Sequence, residues 1–131
     1  LRTVTGVQTC ALPIWAEMYG EQAKFTEAEE AYNKARALFK EPNVGVEFGL
    51  GNLYVREKKY DEALKKFQLV ADDPSSNKYL KAGSLIWQGI IYTELKQPDK
   101  AKECYRKVID LPDASDGHKA QAKDLLKKLP Q

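Results

Sequence analysis

The sequence has few of the side chains that carry metal or redox chemistry. It holds one histidine, His118, and two cysteines, Cys10 and Cys104, which stand far apart and form no CxxC pair. A zinc site or a disulfide framework needs several such residues at close spacings. Because no second histidine could orient a catalytic imidazole, His118 is interpreted as an exposed surface residue. Neither a metal nor any other cofactor is therefore expected.

Long apolar runs and a marked charge excess are also missing. No stretch approaches the roughly 20 apolar residues of a membrane span. The longest, around Leu85–Tyr92, is interrupted by Gln88 and Gly89. The formal net charge is only +2, and a field this weak does not favour binding to nucleic acid. We therefore expect neither membrane insertion nor a nucleic-acid partner.

The motifs of common active sites are absent from the sequence as well. It has no GxxxxGK phosphate loop, no GxGxxG fingerprint and no GxSxG nucleophile turn. Two aspartate pairs, Asp72 with Asp73 and Asp113 with Asp116, flank helix ends near prolines and are interpreted as turn residues. Cys104 has no histidine in its repeat to activate it. The chain is expected not to be an enzyme and to have no small-molecule substrate.

The first fourteen residues differ from the rest of the chain. A β-branched run there favours a strand, and it consists of Thr3, Val4, Thr5, Val7 and Thr9. Residues 1–14 resemble the translation of a sequencing adapter joined to an open reading frame, so we interpret them as a non-native segment. Because the native N-terminus is then missing, the compartment is left open between the cytoplasm, which the lack of a signal peptide favours, and the periplasm.

After this segment the sequence repeats itself. Five sets of three residues recur along the chain, and the members of each set are separated by 35 and then by 38 residues. Within each set the residues are similar in size and chemistry. The sets are Ala16, Gly51 and Gly89; Tyr19, Tyr54 and Tyr92; Ala28, Ala63 and Ala101; Tyr32, Phe67 and Tyr105; and Ala35, Val70 and Val108. Recurrence at a period of this length is typical of helical repeat arrays. It predicts units that each consist of two antiparallel helices.

The middle unit indicates how the two helices of a pair pack. Asn43 can cap a first helix that runs to about Glu57, and Tyr60 opens the second helix after a short turn. Gly51 and Ala63 are small at the positions where the two helices must approach each other. We therefore expect both of them to be packing residues.

These residues resemble the tetratricopeptide repeat, whose unit reads W-x2-L-G-x2-Y, then A-x3-F, then P. The best match is the second unit, with Leu50, Gly51, Tyr54, Ala63, Phe67 and Pro74. The third unit supplies Gly89, Tyr92, Ala101, Tyr105 and Pro112. The resemblance implies an all-α fold, a right-handed α-solenoid of antiparallel helix pairs that ends in a capping helix.

The resemblance implies that residues 15–129 form one tetratricopeptide-like domain. Its expected parts are a truncated first repeat at about 15–42, a second repeat at about 43–76, a third at about 77–112 and a capping helix at about 115–129. Together they predict six helices plus the cap. The longer second spacing places about four extra residues in 74–83, either as a longer turn or as a lengthened helix.

In this family the first helix of each unit lines a concave groove that binds partners. Carried onto this chain, the groove positions are Glu17, Glu21, Phe48, Asn52, Val55, Arg56, Ile86, Ile90, Thr93 and Glu94. They are apolar with acidic edges, which suits an extended peptide or an amphipathic helix. Some of them, Ile86 and Ile90 above all, could instead pack between repeats. A clamp for a terminal carboxylate is not expected, because Phe48 stands where that clamp has a lysine.

The resemblance therefore implies a protein-binding scaffold that holds a partner peptide or helix in its groove. The alternative is a structural segment of a longer solenoid, or of a multidomain protein whose activity lies in missing N-terminal sequence. The residues do not identify the partner.

Overall fold

The computed structural model describes the backbone of residues 14–130 and the side chains of residues 22–130. Over that part of the chain the fold is all-α, as predicted, with six helices and no strand. The helices are α1 (Ile14–Ala37), α2 (Val44–Arg56), α3 (Tyr60–Asp72), α4 (Lys78–Glu94), α5 (Pro98–Asp110) and α6 (Asp116–Lys127). The adapter-like segment lies outside the described residues except for Ile14, and the side chains of Glu17 and Glu21 lie outside them too.

Capping side chains set the beginnings of the first-of-pair helices. Asn43, Asn77 and Ser115 each accept a hydrogen bond from the backbone N–H three residues further on, at 3.1, 2.9 and 3.1 Å. Such bonds satisfy amide hydrogens that have no partner inside the helix. Pro98 lies in the first turn of α5, where its missing N–H removes no helical hydrogen bond.

The same turn follows helices α2 and α4, and it contains Lys58 in one case and Lys96 in the other. The φ angles of these lysines are 62° and 60°, in the left-handed region. The N–H of the following residue then returns to a carbonyl five residues earlier, from Lys59 to Tyr54 in the first case, at 2.8 Å. This geometry reverses the chain, so that α3 and α5 run back along α2 and α4.

The helices form two layers. In the first layer α2 packs against α4, and α4 against α6. In the second layer α3 lies between α2 and α4, and α5 lies between α4 and α6. The helix α1 belongs to the second layer by sequence, but among the residues that the structure describes it contacts α2 alone. The free side of the first layer is therefore one continuous face.

Two clusters of buried side chains join the layers. One connects α4, α5 and α6, and its buried members are Ala82, Ile86, Ala101, Tyr105, Val108, Ala114, Ala122 and Leu129. The other connects α3 and α4 through Ala63, Phe67 and Ile91, with Phe48 and Trp87 packed against it. Since Ala122 and Leu129 belong to the first cluster, the last helix covers the end of the core.

Gly51 and Gly89 lie where a first-layer helix crosses its partner. A Cβ atom at Gly51 would lie 2.8 Å from the Phe67 ring, and one at Gly89 would overlap the Tyr105 ring. Real carbon atoms do not approach so closely without displacing one another. The predicted packing role of these small residues is confirmed.

The first repeat differs from the prediction. Instead of a truncated first helix, a turn and a second helix, residues 14–37 form the single 24-residue helix α1. The prediction of six helices plus a cap was therefore wrong for residues 14–130, which contain six helices in all. The reason is local: Ala23 stands where Lys58 and Lys96 adopt the left-handed conformation, and alanine is the strongest helix former.

The extra residues of the longer spacing lengthen α4. This helix has 17 residues, whereas α2 has 13. Of the two alternatives that the sequence left open, a longer turn or a lengthened helix, the structure has the lengthened helix. The additional turn at the beginning of α4 contains Tyr79 and Leu80.

A buried carboxylate joins three helices. Glu47 of α2 is 1% exposed, and its Oε1 lies 3.1 Å from the Lys66 Nζ of α3. Its Oε2 lies 3.3 Å from the Arg36 Nε of α1. Burying an unpaired carboxylate costs roughly several kcal/mol. The two cations offset this cost and allow a charged residue at this position. This ion-pair network could not be predicted from the sequence.

Candidate functional site

The free side of the first layer contains a concavity of about 390 Å³. We call it the first-layer concavity. One lining residue, Phe48, comes from α2, and two, His118 and Gln121, come from α6. The remainder come from α4 and are Tyr79, Leu80, Gly83, Ile86, Trp87 and Ile90. All three helices of the first layer thus contribute to one site.

The α4 residues of the concavity follow one stripe of the helix. Tyr79, Gly83, Ile86 and Ile90 are three or four residues apart, which places them on the same side. Gly83 adds no side chain to the floor, where a Cβ atom would lie in ordinary van der Waals contact with the Phe48 ring at 3.4 Å. The floor is therefore mainly apolar.

The rim of the concavity is aromatic and polar. Tyr79 is 56% exposed, and its ring lies 5.8 Å from that of His118 in an edge-to-face arrangement. The Lys78 Nζ lies 5.6 Å from the centroid of the Tyr79 ring. Ser115 Oγ lies 2.9 Å from His118 Nδ1 and helps to fix the imidazole. The rim thus offers an aromatic surface together with hydrogen-bonding groups and a cation.

The core supports the concavity from behind. The fully buried Phe67 ring meets Phe48 edge-on at 5.5 Å and stacks on Trp87 at 6.1 Å with an interplanar angle of 7°. Because a core residue holds these two lining rings, they have little side-chain freedom. The site is largely preformed.

Three of the predicted groove residues, Phe48, Ile86 and Ile90, line the first-layer concavity. Ile86 is also 3% exposed and belongs to the core, and Ile90 packs against the same core cluster. One side of each isoleucine packs in the core, and another side lines the concavity. The two expectations for these residues therefore do not exclude each other.

The other predicted residues of α2 lie closer to its end. Asn52 is half-buried, and its Oδ1 is buried with no hydrogen-bond partner among the described residues. Val55 packs against the Phe67 cluster. The Arg56 guanidinium lies 5.5 Å from the centroid of the Phe25 ring of α1 and faces a different cavity. The structure does not bring these three residues into the first-layer concavity.

The predicted acidic edge is represented at the end of α4. Glu94 is exposed there, while Thr93 donates its hydroxyl to the Gly89 carbonyl at 2.9 Å. The side chains of Glu17 and Glu21 lie outside the described residues. Neither Thr93 nor Glu94 lines the concavity.

Sequence reasoning missed the rim. The interpretation of His118 as an exposed residue was wrong, because it is half-buried beside Tyr79. The extra residues at 74–83 indicated that the segment containing Tyr79 differs from the corresponding segment of the second repeat. Nothing in the local sequence indicated that the first turn of α6 would lie next to it.

A smaller cavity of about 220 Å³ opens between α3, α4 and α5. Its lining includes Gln88, which donates to Gln68 at 2.8 Å, and the Cys104 thiol, which is 7% exposed. Burial raises the pKa of this thiol from 9.0 to about 11, against a smaller lowering by Lys107. At neutral pH the thiol is therefore protonated and a poor nucleophile.

We expect Cys104 to react slowly in the folded protein. At pH 8, a thiol with a pKa of about 11 contains about 100-fold less thiolate than one with the ordinary value of 9.0. Alkylation by iodoacetamide, followed at the Cys104 peptide by mass spectrometry, should be slower by at least this factor in buffer than in urea. Equal rates in the two solutions would show that the thiol is not held in the core.

Neither a metal-binding cluster nor a membrane-spanning helix is found among the described residues. No group of three histidine, cysteine or carboxylate side chains among them could hold a metal ion. None of the described helices combines the length and the apolar character needed to cross a membrane.

Comparison with known families identifies one part of the chain. Residues 82–114 match the family model described as Tetratricopeptide repeat. The matched range contains most of α4, the turn at Lys96 and all of α5. The resemblance noted from the repeated residues is confirmed for this segment. No curated protein sequence matches the chain.

Proposed function

We propose that this chain, whose residues 82–114 form a tetratricopeptide repeat, binds a partner protein on the free side of its first helix layer. Repeats of this kind are stacked helix pairs that present an extended surface for binding. The proposed ligand is an extended peptide or an amphipathic helix of the partner. An apolar side chain of that ligand would enter the first-layer concavity.

The observation that carries the proposal is the combination of floor and rim in that concavity. Its volume of about 390 Å³ is large enough for an aromatic or branched aliphatic side chain. Phe48 and Ile90 supply apolar contact, and Tyr79 supplies an exposed aromatic surface, a residue type enriched where proteins bind one another. The polar groups of His118 and Gln121 can then fix the orientation of the ligand.

Asn52 supports a peptide ligand by a separate route. A buried amide oxygen without a donor costs about 1–3 kcal/mol, so its retention in a fold calls for a reason. Asn52 lies one helical turn beyond Phe48 on α2. We propose that its amide bonds the backbone of a peptide whose side chain contacts Phe48.

Catalysis is not part of the proposal. The described cysteine is buried and has a raised pKa, and His118 faces an aromatic ring and a serine hydroxyl that serves as a helix cap. A catalytic constellation would need a nucleophile, a base and an orienting group within mutual reach. A second function, as a segment of a larger assembly, is supported by α1, which among the described residues contacts α2 alone.

Site-specific photo-crosslinking tests the proposal. The photoreactive residue p-benzoylphenylalanine is placed at Tyr79 in one variant and at the exposed Lys65 of α3 in another. In an extract of the organism that encodes the chain, we expect Tyr79 to crosslink to a defined partner and Lys65 not to. Crosslinking of a partner from Lys65 alone would place the binding surface on the second layer and contradict the proposal.

A further inference from the structure

The inward residues of α1 are less buried than their counterparts in the other second-layer helices. Ala63 and Phe67 of α3 are 0% exposed, and the matching Ala101 and Tyr105 of α5 are 0% and 1% exposed. The matching residues of α1, Ala28 and Tyr32, are only half-buried. The difference has a structural cause: among the described residues α3 and α5 each lie between two first-layer helices, whereas α1 contacts one.

A cavity of about 550 Å³ lies at this open side. Lys24, Phe25 and Ala28 of α1 line it, together with Leu53 and Arg56 of α2. In the next two repeats, the preceding first-layer helix lies against the corresponding alanine, because α2 packs on α3 and α4 packs on α5. The cavity therefore lies where the preceding first-layer helix packs in the later repeats.

The chain contains a sequence that matches such a helix. Ala16 and Tyr19 correspond to Gly51 and Tyr54 of α2 by the same spacing that relates the later positions. Residues 14–21 are thus the counterpart of the end of α2. Their backbone is helical, and it continues directly into the rest of α1.

The continuous helix prevents this segment from reaching the cavity of its own chain. In the second repeat the turn at Lys58 folds the first helix back on the second. In the first repeat the helix runs straight through Ala23, and Thr26 Oγ1 donates to the Gln22 carbonyl at 3.0 Å within it. Because a straight helix rises about 1.5 Å per residue, residues 14–21 extend away from Ala28 rather than beside it.

We infer that residues 14–21 of a second copy of the chain fill the cavity, and that two copies exchange these segments. Each copy then receives the helix that a closed hairpin would have supplied, so the contacts are those of the later repeats and two-fold symmetry closes the assembly. The charges agree with this occupant. The cationic residues Lys24 and Arg56 line the cavity, and the exchanged segment carries Glu17 and Glu21 in its sequence.

The mass of the full chain in solution is the first test. Under reducing conditions, light scattering coupled to gel filtration should give twice the 14.8 kDa of one chain, with dissociation on dilution. A mass of one chain at the highest soluble concentration overturns the inference. The exchange does not depend on partner binding in the first-layer concavity, so either proposal can fail alone.

Two matched substitutions on α1 test the location of the contact. In Ala28→Trp a large side chain fills the cavity, and we expect a monomer. In Ala37→Trp the same change is made at an exposed position of the same helix, and we expect the dimer to persist. Circular dichroism and melting of both variants verify that they remain folded. If Ala28→Trp still forms a dimer with an unchanged dissociation constant, the inference is overturned.

A hinge variant provides a second test that leaves the cavity intact. Glycine at position 23 favours the left-handed turn that reverses the chain in the later repeats. We expect Ala23→Gly to close the hairpin within one chain and to raise the dimer dissociation constant by about tenfold, since glycine weakens the continuous helix of each copy. An unchanged or lower dissociation constant for Ala23→Gly contradicts the exchange of residues 14–21.

Discussion

Replacement of Phe67 by alanine is expected to lower the free energy of unfolding by about 4 kcal/mol. The ring is fully buried, and it contacts Phe48 of α2 edge-on and Trp87 of α4 by stacking. Its removal leaves a cavity between two repeats, and a cavity adds to the cost of the lost apolar contacts. The loss is a large share of the ~5–15 kcal/mol that stabilises a domain of this size.

Urea denaturation followed by tryptophan fluorescence measures this loss, because the Trp87 ring stacks on that of Phe67. The matched control is Phe39→Ala, which removes the same atoms from a residue that is 46% exposed. The control should change the free energy of unfolding by less than about 0.5 kcal/mol. Similar losses for the two variants would mean that Phe67 does not connect the repeats as described.

The second large effect is expected at Glu47. Glu47→Ala should lower the free energy of unfolding by about 3 kcal/mol, because it removes the carboxylate that pairs with Lys66 and Arg36 across three helices. Arg36 can regain water, since its side chain is 46% exposed, whereas Lys66 at 19% regains less. Glu47→Gln keeps the shape but loses the charge, so an intermediate loss is expected.

The same denaturation experiment has an internal control for Glu47. Glu103 pairs with Lys107 at 3.2 Å, but both side chains are more than half exposed. Pairs of this kind contribute about 0–1 kcal/mol, so Glu103→Ala should be nearly neutral. If Glu47→Ala were as mild as Glu103→Ala, the buried network would not hold α1, α2 and α3 together.

The helix pairing could be predicted from the sequence because it depends on residues that recur. Gly51 and Phe67 stand at fixed positions of a repeated pattern, and the contact between them is what the pattern encodes. The lengthened spacing likewise indicated additional residues between the second and third units. A periodic pattern reports packing that every unit shares, so these parts of the fold followed from it.

Features that belong to one unit alone could not be predicted in this way. The repeat pattern predicted two helices in the first unit, but the helix propensity of Ala23 favours a continuous α1. In the sequence, Glu47 looks like an ordinary acidic residue in the first turn of a helix. Its burial depends on cations from two other helices, which the local sequence does not show. The contact of Tyr79 with His118 joins helices that are distant in sequence.

The choice of residues for a binding test follows from the same contacts. Phe48→Ala would remove a ring that packs on Phe67, so a loss of affinity could reflect a loss of stability. Tyr79 is exposed and stands on the rim. Its removal should leave the fold intact.

The affinity of the crosslinked partner for Tyr79→Ala, compared with that for Lys65→Ala, tests the central claim most directly. Loss of an aromatic side chain that the partner buries costs more than about 1 kcal/mol, so Tyr79→Ala should raise the dissociation constant by about tenfold. Lys65→Ala should leave it unchanged, and the two variants should melt at the same temperature as the original protein. Wild-type affinity in Tyr79→Ala together with weakened binding in Lys65→Ala would contradict the claim that the partner binds on the first layer.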